Sequence, residues 1–314
     1  MIDVANGLKG RDFTSIKPWA RADLEAILDL ADELKAARAG DEPTDVLPRR
    51  TIGLIFEKPS TRTRVSFEAG IAELGSTAVY LAGSDLQLGR GEPIRDTAYV
   101  LSRYLDAIMI RTFAQDDVDA FAEHASIPVI NGLTDEEHPC QALADLMTIR
   151  ERFGRLDGLR VAYVGDGNNV CVSLMHACAR FGIRFLAATP GDYRPPRAAV
   201  EEARATAEQA GGSVEVVPDA ADAATGADVL YTDVWTSMGQ EAERSARAHA
   251  FRAHSITPRL LELASQEAIV LHCLPAHVGE EIAEDVLYGP RSAVWDQAEN
   301  RLHAQKALMA LIVP

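Results

Sequence analysis

Short apolar runs alternate with amphipathic stretches along most of the chain. The apolar and β-branched run Thr51–Phe56 predicts a strand, and residues 65–74 have the spacing of a helix that stops at Gly75. Repeated alternation of strands and helices is typical of parallel α/β architecture, because a parallel strand needs a crossover connection. The hydrophobic pattern therefore predicts an α/β fold.

The predicted elements fall into two series, which indicate two doubly wound domains with central parallel sheets. The first series continues with a helix at 96–104 and strands at 107–111 and 127–131, and the second has strands at 160–164, 184–188, 213–217, 229–232 and 268–272. We place the domains at 1–150 and 151–314. This boundary is approximate, because 140–152 has the pattern of one continuous helix.

Polar residues at predicted strand ends indicate where ligands bind. In doubly wound sheets ligands lie beyond the carboxyl ends of strands, and Arg111, Asp166, Asp233 and Cys273 stand at or just past such ends. We therefore expect one active site in a cleft between the two domains.

Composition indicates a soluble globular protein. The 314 residues are 47% hydrophobic, so the chain can bury large cores. Its net charge of −16 argues against nucleic acid or an anionic membrane as a partner. No apolar run reaches the roughly 20 residues of a membrane span. Four cysteines lack secreted disulfide spacing and the N-terminal segment lacks signal-peptide order, so we expect a cytoplasmic location.

The segment 56–64 combines hydroxyls and guanidiniums where the first strand gives way to a helix. Ser60 is expected to cap that helix, whose free N–H groups and positive dipole end favour an anion. At about 100° per residue, Arg62 and Arg64 point roughly 200° apart. We expect Arg62 to face the ligand and Arg64 to pair with Glu68. Taken alone, the segment also fits a capped helix with surface charges.

Histidine and cysteine residues raise the alternative of a metal site. His138 and Cys140 form one cluster, and His272, Cys273 and His277 form another. Structural zinc sites usually show paired ligands such as C-x2-C, which neither cluster has. We therefore expect no metal. Neighbours in a strand point to opposite faces, which also argues against a His272–Cys273 catalytic dyad.

The turn Gly165-Asp166-Gly167-Asn168-Asn169-Val170 imitates a dinucleotide-binding fingerprint. Val170 occupies the position of the third glycine, so the match is incomplete and NAD is not expected. The two asparagines also fit ordinary turn positions.

Four motifs together resemble a known family. Ser60-Thr61-Arg62-Thr63-Arg64 is similar to the carbamoyl phosphate loop of the aspartate and ornithine carbamoyltransferases. The segments His138-Pro139-Cys140-Gln141, 233–239 and His272-Cys273-Leu274-Pro275 resemble the ornithine branch and occur in the family's order. The aspartate branch usually has Thr at the position of Cys140. Val278 and the start of the helix at Cys171 depart from close relatives, and neither is an implied substrate contact.

The resemblance implies a carbamoyl phosphate site. Thr63, Arg111 and His138 would donate hydrogen bonds to the carbonyl oxygen, and Gln141 would accept from the carbamoyl NH2 together with two backbone carbonyls. The implied contacts are Ser60, Thr61, Arg62, Thr63, Gln87, Arg111, His138, Gln141, Cys273, Leu274 and Arg301. Without the resemblance, Arg301 would be assigned to a solvated helix face.

The resemblance also implies an ornithine site in a loop that closes over the amino acid. Its implied contacts are Asn169, Asp233, Ser237 and Met238, with the role of Asn168 left open. Cys273 would lie near the attacking amine, and the Leu274–Pro275 bond is permitted to be cis. The implied catalytic residues are Arg62, Arg111, His138, Asp233 and Cys273.

The implied reaction needs no cofactor. The δ-amine of L-ornithine would attack carbamoyl phosphate to give L-citrulline and phosphate, in arginine biosynthesis. The family also implies a homotrimer in which the Gln87 loop completes the neighbouring site, and a C-terminal helix, about 299–314, that packs on the first domain. Three alternatives stay open: carbamoylation of putrescine or another amine, a non-catalytic relative that binds carbamoyl phosphate, and a metal-dependent hydrolase.

Overall fold

The chain folds as two compact units. The computed structural model describes residues 7–86, 91–237 and 239–314. The first unit comprises Met1–Met147 and Asn300–Pro314, and the second comprises Thr148–Glu299. The division falls inside two helices, Pro139–Phe153 and Val294–Ile312, which belong in part to each unit. Within the described ranges, no helix combines the length and the apolar character required to cross a bilayer.

In the described part of the first unit, four parallel strands form one sheet in the order β2-β1-β3-β4. Strand β2 lies on one side of β1, and β3 and β4 lie on the other. The order in which strands are added therefore reverses between β1 and β3, which is the position where doubly wound sheets bind ligands. The elements are α1 (Arg21–Ala39), β1 (Thr51–Phe56), α2 (Thr61–Glu73), β2 (Thr77–Ala82), α3 (Ile94–Leu101), β3 (Ala107–Arg111), α4 (Gln115–His124), β4 (Val129–Leu133) and the start of α5 (Pro139–Phe153).

The second unit contains a five-stranded parallel sheet in the order β7-β6-β5-β8-β9. Its reversal point lies between β5 and β8. The elements are β5 (Arg160–Val164), α6 (Asn169–Arg180), β6 (Arg184–Ala188), α7 (Arg197–Ala210), β7 (Ser213–Val217), α8 (Ala220–Ala224), β8 (Val229–Thr232), α9 (Arg244–Ala250), α10 (Pro258–Leu261), β9 (Ile269–His272), α11 (Glu284–Leu287) and the start of α12 (Val294–Ile312).

The predicted fold class is confirmed, and most predicted strands have the observed bounds. The exceptions are 127–131, observed as Val129–Leu133, and 268–272, which begins at Ile269. The prediction missed α1 and β2. Strand β2 is an edge strand whose residues are exposed or half-buried. Its run 78–82 is nevertheless continuously apolar, so the sequence does contain a local signal for this strand. The helix predicted at 96–104 spans Ile94–Leu101, and the last helix begins at Val294 instead of 299.

Charged side chains connect three helices inside the first unit. The buried Lys306 of α12 donates to Glu73 of α2 at 2.7 Å, and Arg38 of α1 donates to the other oxygen of the same carboxylate at 3.0 Å. His303, 1% exposed, lies beside this cluster. Burial, together with the charges of Lys306, Lys35 and Arg38, lowers the pKa of His303 to about 4, and Glu73 opposes this shift. His303 is therefore neutral at neutral pH.

We expect His303 to make the fold acid-sensitive. Its pKa rises from about 4 in the folded chain to the ordinary 6.5 on unfolding, so the unfolded state binds more protons in this window and stability falls as pH falls from 6.5 toward 4. His303→Gln removes the titration. The urea unfolding midpoint should drop less between about pH 7 and about pH 5 in the variant than in the wild type. Equal drops would contradict this assignment.

Candidate active site

The start of α2 is a capped helix terminus with two arginines that point in different directions. The extended Ser60 accepts a hydrogen bond from the Thr63 N–H at 3.3 Å, as predicted for an N-cap. Arg64 donates to Glu68 at 2.9 Å and covers the ring of Tyr80 at 3.8 Å, which confirms its predicted pairing. The first turn contains no acidic side chain, so nothing on the helix itself neutralises its positive end.

Arg301 joins α12 to the same region of the first unit. Its Nη2 donates to Thr63 Oγ1 at 2.7 Å and its Nη1 to Gln141 Oε1 at 3.1 Å. Gln141 in turn donates from Nε2 to Asp145 at 2.8 Å. Arg301 is 4% exposed, so its assignment to a solvated helix face is wrong. One side chain thus links α2, α5 and α12 around a common point.

The buried His138 lies among three guanidiniums. Burial lowers the pKa of His138 well below its ordinary value, and the charges of Arg301, Arg111 and Arg62 lower it further. The ring is therefore a neutral imidazole, with one N–H donor and one acceptor nitrogen. The convergence also makes this region locally positive in a chain whose net charge is −16. Arg111 reaches it from the end of β3.

The other predicted residues of this unit occupy different environments. Thr61 is the exposed first residue of α2, and Gln87 lies outside the described residues. The Cys140 thiol donates to the carbonyl of Asn131 at 3.4 Å, and burial raises its pKa to about 12. Because metal binding requires a thiolate, this environment disfavours the His138–Cys140 metal alternative.

In the second unit, the turn between β5 and α6 is organised by Asn168. Its Oδ1 accepts from the N–H groups of Val170 and Cys171, each at 3.1 Å, which makes it the N-cap of α6. Its Nδ2 donates to Asp233 at 2.8 Å. The half-buried Asn169 opens the helix. Sequence analysis left the role of Asn168 open, although an asparagine between a strand and a helix is a recognisable N-cap signal.

The ends of β5, β8 and β9 meet at Asp233. One carboxylate oxygen accepts from Asn168, and the other accepts from the Cys273 thiol at 2.9 Å. Asp233 is 5% exposed, so its direction is fixed by these two donors. Ser237 follows in the next loop, half-buried, with its N–H donating to Gln240 at 3.1 Å. Met238 lies outside the described residues.

The segment after β9 has an unusual backbone held by buried side chains. The Leu274–Pro275 bond is cis, as the sequence permitted, and Leu274 has a left-handed φ of 59°. Such a conformation costs an L-residue about 1–2 kcal/mol. The Leu274 N–H donates to His272 Nδ1 at 2.8 Å, and His272 Nε2 lies 3.2 Å from Glu281. Since Nδ1 accepts, Nε2 carries the proton and donates to Glu281. Glu281 was not among the predicted site residues, and no motif in its neighbourhood points to it.

Two groups of possible metal ligands occur within the described ranges. They are Asp233, His272 and Cys273, and His277, Glu280 and Glu281. In the first group both ring nitrogens of His272 and the thiol proton of Cys273 already have partners. In the second, Glu280 is ion-paired with Arg244 at 2.6 Å. The expected absence of a metal stays a prediction.

Comparison with known proteins covers the whole chain. Residues 11–151 match the family model of the carbamoyl-phosphate-binding domain of aspartate/ornithine carbamoyltransferases, and residues 157–312 match that of the Asp/Orn-binding domain. A Symbiobacterium thermophilum protein described as ornithine carbamoyltransferase is 58% identical over 309 residues, which are 98% of this chain and 99% of its own.

Solved structures of similar proteins point to the same family. The ornithine carbamoyltransferase of Pyrococcus furiosus has a TM-score of 0.95 and 49% identity, with 99% of each chain covered. The ornithine carbamoyltransferase of Gloeobacter violaceus has a TM-score of 0.87 and 47% identity, over 98% of this chain and 99% of its own. The resemblance inferred from the four motifs is thereby confirmed: the chain belongs to the aspartate/ornithine carbamoyltransferase family.

Proposed function

We propose that this protein is an ornithine carbamoyltransferase, which forms L-citrulline and phosphate from carbamoyl phosphate and L-ornithine. The observation that carries the proposal is the convergence of Arg62, Arg111 and Arg301 on the neutral His138 in the first unit. A small anion with a polarised carbonyl group suits this combination of positive charge and neutral donor. Full-length similarity to proteins described as ornithine carbamoyltransferases supports ornithine as the acceptor.

The first unit binds carbamoyl phosphate in this proposal. The phosphoryl group lies at the start of α2 against Ser60, Thr61 and Arg62, where helix N–H groups and a guanidinium favour negative charge. The carbonyl oxygen accepts from Thr63, Arg111 and His138. These donors stabilise the oxyanion of the tetrahedral intermediate, and one such donor is commonly worth about 2.7–4 kcal/mol.

Arg301 and Gln141 hold the remaining parts of the carbamoyl phosphate. Arg301 keeps Thr63 and Gln141 in place through hydrogen bonds, and it contributes positive charge of its own. The Gln141 amide oxygen has a second lone pair for the carbamoyl NH2. The backbone carbonyls of Cys273 and Leu274 accept from the same NH2, at the segment that His272 orients.

The second unit binds ornithine. Asp233 pairs with the α-ammonium group, and Asn169, Ser237 and Met238 hold the amino-acid end. Cys273, which donates to Asp233, lies near the attacking δ-amine. The neutral amine attacks the carbonyl carbon and a tetrahedral intermediate forms. The carbon–oxygen bond to phosphate then breaks, and the departing phosphate takes the proton that the amine loses, so no dedicated base is needed.

The proposal extends to assembly and location. A homotrimer is expected, in which the Gln87 loop of one subunit completes the site of its neighbour. Exposed apolar residues on the first unit, including Val65 of α2 and Tyr80 of the edge strand β2, support association through that unit. The four cysteines are all free thiols, which supports a reducing cytoplasmic location. A role in arginine biosynthesis is part of the same proposal.

The purified chain should form citrulline from carbamoyl phosphate and ornithine without added metal. Putrescine, aspartate and N-acetylornithine are supplied in parallel, and the ureido product is measured. Ornithine is expected to be the best acceptor by a wide margin. A preference for another amine would overturn the substrate assignment, and no product with any acceptor would favour a carbamoyl-phosphate-binding protein without catalytic activity.

Arg62→Ala should lower kcat/KM by about 10²–10³, because it removes a charged donor from the developing transition state. Arg64→Ala is the matched control from the same helix turn. It loses a surface ion pair with Glu68 and a contact with the Tyr80 ring, neither of which involves a residue of the proposed site, so its activity should stay within a few-fold of wild type. Both variants are checked for wild-type oligomeric state by light scattering. Near-normal activity of Arg62→Ala would remove Arg62 from the site.

With subsaturating ornithine, the rate should rise by up to about tenfold per pH unit between about pH 6.5 and 8. An alkylamine titrates near pH 10, so only about one molecule in a thousand is the free nucleophile at neutral pH. His138 does not add a titration here, because its lowered pKa keeps it neutral throughout this range. A flat profile would show that deprotonation of the δ-amine does not limit the reaction.

A further inference from the structure

Arg247 is a buried arginine that sequence analysis did not identify. It lies in α9, within a segment of mostly exposed residues, yet its side chain is only 4% exposed. Its Nη2 donates to the Asp166 carboxylate, its Nε donates to the carbonyl of Trp235, and its Nη1 lies 3.4 Å from Glu243. Burial raises the pKa of Asp166 to about 6, and the charge of Arg247 opposes that rise.

Aromatic rings enclose the same guanidinium. Its central carbon lies 4.6 Å from the ring centre of Tyr193 and 5.4 Å from that of Phe251. Phe251 packs against Tyr193 at 4.7 Å and stacks on Trp235 at 5.9 Å. A planar guanidinium is suited to this position because it stacks on rings while its N–H groups donate in the plane.

These contacts connect the loops that carry the proposed ornithine residues. Asp166 belongs to the turn after β5, which continues into Asn168 and Asn169. Trp235 belongs to the loop after β8, between Asp233 and Ser237. Arg247 therefore donates hydrogen bonds to both loops.

Besides the loops after β5 and β8, a third segment contacts Arg247, namely the one that contains Tyr193. It packs closely on the turn after β5: the Gly167 N–H donates to the Tyr193 carbonyl at 2.9 Å. A Cβ at Gly167 would lie 2.2 Å from the nitrogen of Pro195. The turn after β5 is therefore packed against the segment that carries Tyr193, whose ring contacts Arg247.

We propose that Arg247 is a positioning residue for ornithine recognition, which sets the distance between the Asn168–Asn169 turn and the Asp233–Ser237 loop. This inference rests on the proposed function. Arg247 contacts neither substrate; it acts through Asp166 and the Trp235 carbonyl. Lysine cannot replace it fully, because one ammonium lacks the planar fork that reaches a carbonyl and a carboxylate in different directions.

The test is a complete two-substrate kinetic analysis of Arg247→Met and Arg247→Lys. Arg247→Met should raise the KM for ornithine at least tenfold while the KM for carbamoyl phosphate stays within about twofold, and Arg247→Lys should lie between Arg247→Met and wild type. Arg244→Met is the matched control: it removes the same charge from the same helix, but its side chain is 63% exposed. Its two KM values should match those of the wild type.

A merely structural role predicts a different result. If Arg247→Met changes both KM values equally, or changes only the amount of folded protein, the proposal is overturned. Should Arg247→Met fail to fold, Asp166→Ala removes the carboxylate to which Arg247 donates and must show the same selective rise in the ornithine KM. Wild-type citrulline formation is measured in the same assay. Its absence would overturn the proposed function, whereas its presence with unchanged ornithine KM in the variants would overturn only the role of Arg247.

Discussion

The parallel direction of the strands is the constraint on which the rest of this structure depends. In each unit the loops that leave the carboxyl ends of neighbouring strands meet at one edge of the sheet. In the first unit this edge receives the start of α2 and Arg111, from β1 and β3. In the second it receives Asn168, Asp233 and Cys273, from β5, β8 and β9. Residues far apart in sequence are thereby gathered at one edge of each sheet.

The positive charge at the proposed carbamoyl phosphate site is opposite in sign to the net charge of the molecule. A chain with net charge −16 would repel an anionic substrate, yet Arg62, Arg111 and Arg301 concentrate positive charge around one buried imidazole. Their effect on His138 is chemically useful, because a neutral ring is an N–H donor that holds its protonation state near neutral pH. The uncompensated positive end of α2 acts in the same direction.

The second unit relies on rigid support for polar groups. Asp233 is oriented by two donors, Leu274 is kept in a left-handed conformation by His272, and Arg247 holds two loops through one guanidinium. His272 and Arg247 are themselves buried, where hydrogen bonds are hard to replace by water. Local strain at Leu274 is therefore maintained by the surrounding fold.

The sequence by itself determined the elements whose signals are local. Buried strands such as Ala107–Arg111 are short apolar runs, and Ser60 is a residue type that commonly caps helices. Arg64 stands four residues before Glu68, so helix geometry alone predicts their pairing. The four motifs gave the family for the same reason, since each is contiguous. Strand β2 was missed although 78–82 is a continuous apolar run, so a local signal for it is present in the sequence.

Only the tertiary structure decided which distant residues act together. Arg301 and Thr63 are hydrogen-bonded although they are 238 residues apart, and Arg247 binds Asp166 across 81 residues. The local sequence around Arg301 and Arg247 is that of exposed helix faces, because helical periodicity records which side is apolar and not which charged side chain will be buried against an acceptor. That choice depends on the packing of several elements at once, and no single segment contains it.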